Sequence, residues 1–159
     1  MMKLDFNKDL TNFEIQNICN QVGIKLNGIY MKDELSSNIS NGNYIINLQN
    51  HNQAGSHWVC FLKSKNNICW FDSFGCPPMQ NEVNIFKQNH YNVYYSSVQI
   101  QAIKSILCGF FCIAYLYFVN LKGSSTTHKI AEFQNLFNYK NRANNDNILK
   151  NLYKHIIIQ

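Results

Sequence analysis

The sequence predicts an α+β fold, on the basis of three observations. Short segments rich in aromatic and β-branched residues cluster in the middle of the chain, between about residues 43 and 98. Helical patterns occupy both ends. The chain has 159 residues, 46% of them hydrophobic, which is enough for one buried core and short for two domains. We therefore expect residues 1–159 to form a single domain.

The N-terminal helix is predicted from a capping box. Thr11 is followed three residues later by Glu14, and Leu10 and Ile15 are spaced as a hydrophobic staple around this start. The apolar residues that share one face of the predicted helix are Ile15, Ile18, Cys19 and Val22. Gly23 suits the end of the helix, because glycine readily adopts the left-handed conformation found there. Cys19 is therefore predicted to be a core residue.

The central segments are predicted as strands and the later ones mainly as helices. Strands are expected at 43–48, 57–63, 68–73 and near 92–98, with a turn at "SKNN" between the second and the third. The sequence "FGCPP" at 74–78 interrupts the pattern. Helices are expected at 80–88, from about 107, at 128–138 and at 145–156. The uncharged run from Ile106 to Val119 is shorter than the roughly 20 residues of a bilayer crossing, so it predicts a buried helix.

The composition and the N-terminal sequence predict the cellular compartment and limit the possible binding partners. The N-terminal "MMKLDFNKDL" lacks the apolar core of a signal peptide, so we expect a soluble protein made in the cytosol, without membrane contact. Thiols stay reduced there, and six cysteines at irregular spacing do not suggest a disulfide framework. The net charge of +5 is compatible with contact to nucleic acid and equally with an ordinary solvated surface.

The predicted hairpin places a histidine near an aspartate. If the turn is centred between Ser64 and Lys65, His57 faces Asp72 and Cys60 faces Cys69. Directly opposed residues have Cβ atoms about 4.5–5.5 Å apart, which allows a carboxylate to bind an imidazole. A shift by one residue would move one of the side chains to the other face. The spacing thus predicts a His–Asp dyad, with two unrelated surface residues as the alternative.

The segment "KSILCGFFCIAYLYFVN" (104–120) contains two cysteines that the predicted helix distinguishes. Cys108 lies at the start of the helix, where backbone N–H groups and the helix dipole stabilise a thiolate. Cys112 lies one turn further, among apolar residues, and is predicted to be an inert core thiol. Gly109 either leaves the backbone open for a substrate or allows close packing of the helix start. A zinc site on both cysteines would need Cys76 with His90 or His57, and we disfavour it.

These residues also carry a resemblance to a known family. "GSHW" (55–58), "CWFDSFG" (69–75) and "QIQAIKSILCGFFC" (99–112) resemble the ordered His, Asp, Gln and Cys-Gly signature of the adenain-like cysteine proteases. That family includes the adenovirus maturation protease and relatives in virophages and Polinton/Maverick elements, and it shares a fold with the SUMO-deconjugating proteases. The segment "GIYMKDEL" (28–35) is similar to one that precedes the sheet in the virophage and Polinton members.

The resemblance implies a fold and a set of roles. The fold would be a papain-like variant, with a mostly antiparallel central sheet, a buried central helix that begins at the nucleophile, and further helices around it. Cys108 would be the nucleophile and His57 the general base. Asp72 would orient the imidazole, and Gln101 with the backbone N–H of Cys108 would form the oxyanion hole. Gln99 is the alternative for the glutamine.

Two neighbouring positions complete the set of candidate site residues. Trp58, which follows the histidine in the family too, would shelter the dyad from water; simple core filling is its alternative role. Gly109 would support substrate binding beside the sulfur. No cofactor is required by the sequence. This chain has His90 where the adenovirus protease carries the cysteine that binds its activating peptide, so that disulfide is not implied.

The resemblance also implies a biological role. We expect a viral endopeptidase that processes capsid or other virion precursor proteins, cleaving after a small residue such as Gly. It would be a monomer in the host cytoplasm or viral factory and would be packaged in the virion. Nonspecific DNA contact, and DNA or a viral peptide as activator, stay open. The alternatives are a deconjugase of ubiquitin-like proteins, a same-fold acyltransferase, or a catalytically inactive capsid-associated protein.

Overall fold

The computed structural model describes residues 3–50, 52, 57–121 and 126–158, without the side chains of residues 126, 127 and 158. In this part of the chain five α-helices and five strands alternate with loops and two short 3-10 helices. The strands are β1 (Leu26–Met31), β2 (Gly42–Asn47), β3 (Trp58–Ser64), β4 (Asn67–Phe71) and β5 (Asn92–Tyr95). The helices are α1 (Asn12–Gln21), α2 (Gln80–Gln88), α3 (Cys108–Val119), α4 (Thr126–Gln134) and α5 (Asn145–Ile158). The predicted α+β class is confirmed.

The five strands form one mixed sheet in the order β1-β2-β3-β4-β5. The two central pairings are antiparallel, as expected, but β1 pairs with β2 and β4 pairs with β5 in parallel. The expectation of a mostly antiparallel sheet is therefore corrected. Parallel neighbours need a crossover connection, and α2 supplies it between β4 and β5.

Strand β1 is absent from the sequence prediction, which placed "GIYMKDEL" before the sheet. Residues Gly28–Met31 of that segment lie within the sheet, as its edge strand, and Lys32–Glu34 form a 3-10 helix. Asn27 and Gly28 are poor strand formers, and the pairing register shifts between Leu26 and Gly28. Strand β5 ends earlier than predicted because the Ser96 hydroxyl accepts a hydrogen bond from the N–H of Val98, which turns the chain.

All five predicted helices are present, although α4 begins at Thr126 and ends at Gln134, four residues before the predicted end. The Thr11–Glu14 capping box of α1 is present, and Gly23 has a φ of 78° just after the helix. Helix α3 is buried on nearly all sides because α1, α4, α5 and β3 surround it. No helix of the described residues is long and apolar enough to span a bilayer.

The core has two parts, one on each face of the sheet. Alternate residues of β3 point to opposite faces. Trp58 and Cys60 therefore belong to the core formed with the helices α1, α3, α4 and α5, while Val59 and Phe61 belong to the core that includes Phe86 of α2. The first face is the larger one. The start of α3 meets the sheet on this face, close to the ends of β3 and β4.

Candidate active site

The hairpin of β3 and β4 brings His57 and Asp72 together. His57 immediately precedes β3 and Asp72 immediately follows β4, so both lie at the same end of the antiparallel pair. His57 Nε2 lies 2.8 Å from Asp72 Oδ1. The same carboxylate oxygen also accepts the backbone N–H of Phe74 at 2.8 Å. Asp72 is only 3% exposed, so both bonds are shielded from water.

The register that produces this contact differs from the predicted one. Cys60 pairs with Phe71, and Leu62 pairs with Cys69, because the turn consists of Lys65 and Asn66. The predicted opposition of Cys60 to Cys69 and of His57 to Asp72 is therefore wrong by two residues. A shift by two keeps every side chain on its predicted face, and His57 reaches Asp72 diagonally. The side chain of Asn41 holds the turn by accepting the N–H of Lys65.

The electrostatics around His57 favour its protonated form. Burial by itself lowers the pKa of the imidazole. Hydrogen bonds to Asp72 and to Cys108, together with the negative charges of these two groups, outweigh burial and raise the pKa of His57 to about 9. Since Nε2 is bonded to Asp72, Nδ1 is the ring nitrogen that remains for the sulfur. The imidazole thus lies between a carboxylate and a thiol.

Cys108 is the first residue of α3. The preceding residue, Leu107, makes no side-chain capping hydrogen bond to the first N–H groups of the helix. The backbone N–H of Trp58 donates to Cys108 Sγ at 3.5 Å. The residue is buried, with 5% of its surface exposed. Helix dipole, backbone donor and imidazole all place positive charge next to this sulfur.

Cys112 has a different environment. Its Sγ donates to the carbonyl oxygen of Trp58 at 3.3 Å, and Cys60 Sγ donates to the Cys112 carbonyl at 3.7 Å. Burial, followed by the interaction with the neighbouring Cys60 thiol, raises the pKa of Cys112 well above its usual value. The side chain is fully buried in the core. Its surroundings are those of an unreactive structural thiol.

The two candidate glutamines differ in burial and in what they bind. The amide of Gln101 is 1% exposed; its Nε2 donates to the carbonyl of Ser105 at 2.8 Å and its Oε1 accepts from Ser73 Oγ at 2.5 Å. Gln99 is half-buried and donates to the backbone carbonyl of Gln101 at 2.9 Å. The Gln101 side chain is therefore bonded to Ser73, the residue after Asp72, whereas the Gln99 side chain bonds to the backbone of its own loop. Of the two glutamines, Gln101 is thus the one whose side chain contacts the loop after Asp72.

Trp58 and Gly109 pack against each other. Trp58 Nε1 donates to the carbonyl of Leu10 at 2.9 Å, which fixes the indole beside the start of α3. A Cβ added at Gly109 would lie 3.2 Å from Leu10 Cδ1 and 3.4 Å from Trp58 Cδ1. This contact supports the close-packing alternative for Gly109. Gly55 and Ser56 of the "GSHW" motif lie outside the described residues.

The sequence reasoning missed several residues of the site. The ring of Phe74 lies 4.7 Å from the His57 ring, centroid to centroid, and covers it. The loop that carries Gln101 is also fixed from the C-terminal side: Arg142 Nε donates to Gln99 O, Asn145 Nδ2 to Ile100 O, and Asp146 accepts from Ser105 Oγ. Phe74 follows Asp72 closely and could have been found there. The contacts from residues 142–146 are long-range, and no sequence pattern indicates them.

The cysteines do not form a metal centre in the described part of the chain. All six are free thiols, and no group of three or more His, Cys, Asp or Glu side chains is arranged there to hold a metal ion. What the geometry brings together is a Cys–His–Asp arrangement at the start of a buried helix, on an α+β domain. Such a set can generate a thiolate–imidazolium pair next to backbone donors.

Comparison with known proteins adds a distant structural likeness. No family model matches the chain, and no curated protein matches it either. Among solved structures, the chain is similar to the central domain of an uncharacterized protein from Legionella pneumophila, with a TM-score of 0.47 and 15% sequence identity. The match covers 94% of this chain and 97% of that one. A likeness of this degree does not bear on activity.

Proposed function

We propose that the protein is a cysteine endopeptidase whose nucleophile is Cys108. The observation that carries this proposal is the imidazole of His57, which bonds to Asp72 at 2.8 Å and interacts with Cys108, so that its pKa is raised to about 9. A histidine that keeps its proton at neutral pH next to a cysteine sulfur is what a thiol protease requires. The start of α3 adds backbone donors beside the same sulfur.

The reaction would run in two steps. The thiolate of Cys108 attacks the scissile carbonyl carbon, and the carbonyl π electrons move to oxygen. His57 then gives its Nδ1 proton to the leaving amine as the C–N bond breaks, which leaves a thioester on Cys108. In the second step His57 takes a proton from water and the hydroxide attacks the thioester carbon. The C–S bond then breaks, which releases the carboxylic acid product and restores the Cys108 thiolate beside the protonated His57.

The other site residues would stabilise this chemistry. Asp72 orients the imidazole and stabilises its positive charge. The backbone N–H of Cys108 and the side-chain amide of Gln101 would bind the oxyanion, and one such donor contributes roughly 3–4 kcal/mol to transition-state stabilisation. Phe74 packs against the His57 ring, and the indole of Trp58 beside Gly109 would add apolar surface, which strengthens electrostatic interactions at the site.

The finer assignment follows from the motif resemblance. We propose that the chain has the papain-like variant fold of adenain-like proteases, and that it processes capsid or other virion precursor proteins after a small residue such as Gly. DNA contact, and activation by DNA or a viral peptide, are part of the same proposal and need separate tests. Deconjugation of a ubiquitin-like protein and acyl transfer are the competing reactions, since each would use the same three side chains.

The test is proteolysis of defined substrates. Wild type, Cys108→Ala and Cys112→Ala are incubated with the capsid proteins encoded by the same genome and with a peptide library, and the cuts are mapped by mass spectrometry. We expect cutting by wild type and Cys112→Ala and none by Cys108→Ala. Equal cutting by wild type and both variants would contradict the assignment of Cys108 as the nucleophile. Release of a ubiquitin-like modifier, or acetyl transfer, without cutting of capsid proteins would favour a competing reaction.

A further inference from the structure

The residue after Asp72 is bonded to the candidate oxyanion donor. Ser73 is fully buried, and its hydroxyl donates to Gln101 Oε1 at 2.5 Å. At the other end of the amide, Gln101 Nε2 donates to the carbonyl of Ser105 at 2.8 Å. Both ends of this buried amide are therefore held, and by different segments of the chain.

The chemistry of the two partners sets the orientation of the amide. A backbone carbonyl can only accept hydrogen bonds, so the end of Gln101 that faces Ser105 must be the NH₂ group. The oxygen then faces Ser73, whose hydroxyl can donate to it. An amide nitrogen carries two hydrogens, and the bond to Ser105 uses one of them. The second is left for another acceptor, which in the proposed function is the oxyanion.

The backbone holds the two segments in contact as well. The carbonyl of Ser73 accepts the N–H groups of both Ile100 and Gln101, at 2.9 and 3.0 Å. Gly75 has a φ of 77°, and a Cβ added there would lie 2.8 Å from the backbone nitrogen of Gln99. The Asp72–Gly75 loop is thus fitted closely against the loop that carries Gln101. One short loop contacts both the histidine and the glutamine.

We propose that Ser73 is a positioning residue that orients the amide of Gln101 toward the oxyanion. The inference rests on the proposed cysteine protease chemistry for the role of that amide, while the orientation itself rests on the contacts of Ser73 and Ser105. Without the Ser73 hydroxyl, the buried Oε1 loses its donor, and a rotated amide would present oxygen, which repels an oxyanion. Ser73 does not touch the reacting atoms and acts only through Gln101.

A double-mutant cycle tests this role kinetically. The variants are Ser73→Ala, Gln101→Ala and the double variant, assayed with a fluorogenic peptide that ends in Gly-Gly-aminomethylcoumarin. Loss of one oxyanion donor costs about 100- to 1000-fold in kcat, so we expect Ser73→Ala to lower kcat by about 10- to 100-fold with little change in KM. In the Gln101→Ala background the same change should lower kcat less than about twofold. Equal losses in both backgrounds would overturn the proposal.

Two controls separate a positioning role from general damage to the fold. Ser96→Ala removes a buried hydroxyl that bonds to the N–H of Val98, and it should leave kcat near the wild-type value. Ser73→Cys keeps the shape of the side chain with a weaker donor and should fall between wild type and Ser73→Ala. Thermal unfolding of each variant shows whether it is folded. If the loss of kcat follows the melting temperature across all variants, and not the presence of the Ser73 hydroxyl, the positioning role of Ser73 is contradicted.

An NMR measurement keeps the inference testable if wild type does not cleave the peptide. Exchange of the Gln101 side-chain NH₂ protons with water should be at least about fivefold faster in Ser73→Ala than in wild type, because an amide no longer held at Oε1 can rotate and break its Nε2 bond to Ser105. Faster exchange with no proteolysis by wild type would refute the proposed function and leave the orienting role of Ser73 standing. Unchanged exchange would overturn the orienting role, whether or not wild type is active.

Discussion

His57 Nε2 bonds to Asp72 Oδ1 at 2.8 Å although the two residues are not opposite each other in the hairpin. Strand β3 begins at Trp58 and strand β4 ends at Phe71. The side chains of His57 and Asp72 therefore extend from the same end of the hairpin and meet diagonally. The carboxylate is fixed from its other side by the N–H of Phe74. The pair is thereby oriented by backbone contacts as well as by the strands.

Asp72→Asn should lower the pKa of His57. Asparagine keeps the shape of the side chain but removes the negative charge that favours the imidazolium. We expect the pKa of His57 to fall from about 9 toward or below its ordinary 6.5, as measured by an NMR titration of the ring protons. The exposed Asp9→Asn serves as the control and should leave the titration unchanged. An identical His57 titration in wild type and Asp72→Asn would show that the bond does not form.

The same pKa predicts how stability depends on pH. The folded state binds the His57 proton more tightly than the unfolded state, so this group contributes its full stabilisation below about pH 6.5 and loses it as pH rises to about 9. The difference in free energy of unfolding between wild type and His57→Gln, from urea titrations, should therefore shrink over this range. A difference that stays constant from pH 6 to 9.5 would contradict a raised pKa.

Gly75→Ala should destabilise the protein more than Gly23→Ala does. Both glycines have a φ near 78°, where an added Cβ costs about 1–2 kcal/mol. At Gly23 the Cβ would meet no atom within 4 Å, whereas at Gly75 it would lie 2.8 Å from two backbone atoms of the Val98–Gln99 segment. Urea unfolding of both variants measures the difference. Equal losses would mean that the two loops are not in close contact.

Cys112→Ala should mainly reduce stability, whereas Cys108→Ala should mainly reduce activity. Cys112 is fully buried and its thiol donates to Trp58 O, so its removal leaves a small cavity that costs roughly 1 kcal/mol in the free energy of unfolding. Activity should be retained. Cys108→Ala should abolish activity, with a smaller effect on stability because Cys108 lies at the edge of the core. Unfolding curves and the peptide cleavage assay distinguish the two variants.

Local patterns predicted the helices well and the sheet incompletely. The capping box at Thr11 and the start of α3 near residue 107 depend on a few neighbouring residues, and both agree with the structure. The hairpin register depends on Asn41, which binds the turn from a distant part of the chain, and the sequence prediction was wrong there by two residues. Strand direction and the edge strand β1 also depend on tertiary pairing.

The candidate site shows the same division. The residue types and their order pointed to His57, Asp72 and Cys108, and the structure brings these three side chains together. The buried network around Gln101 was not predicted, because Ser73, Ser105 and Asp146 come together only in the folded chain. Side chains that perform chemistry are recognisable by type and spacing. The groups that orient them are ordinary serines and backbone atoms, which have no such signature.

The most direct test of the proposed active site is the position at which an electrophile modifies the chain. The exposed Cys76 is first replaced by serine, and the protein is treated with iodoacetamide at pH 7 and mapped by mass spectrometry. We predict one modification, at Cys108, which slows by about tenfold or more in His57→Ala because the sulfur loses its positive partner. Modification of Cys112 in preference to Cys108, or a Cys108 rate unaffected by removal of His57, would contradict the assignment of this site.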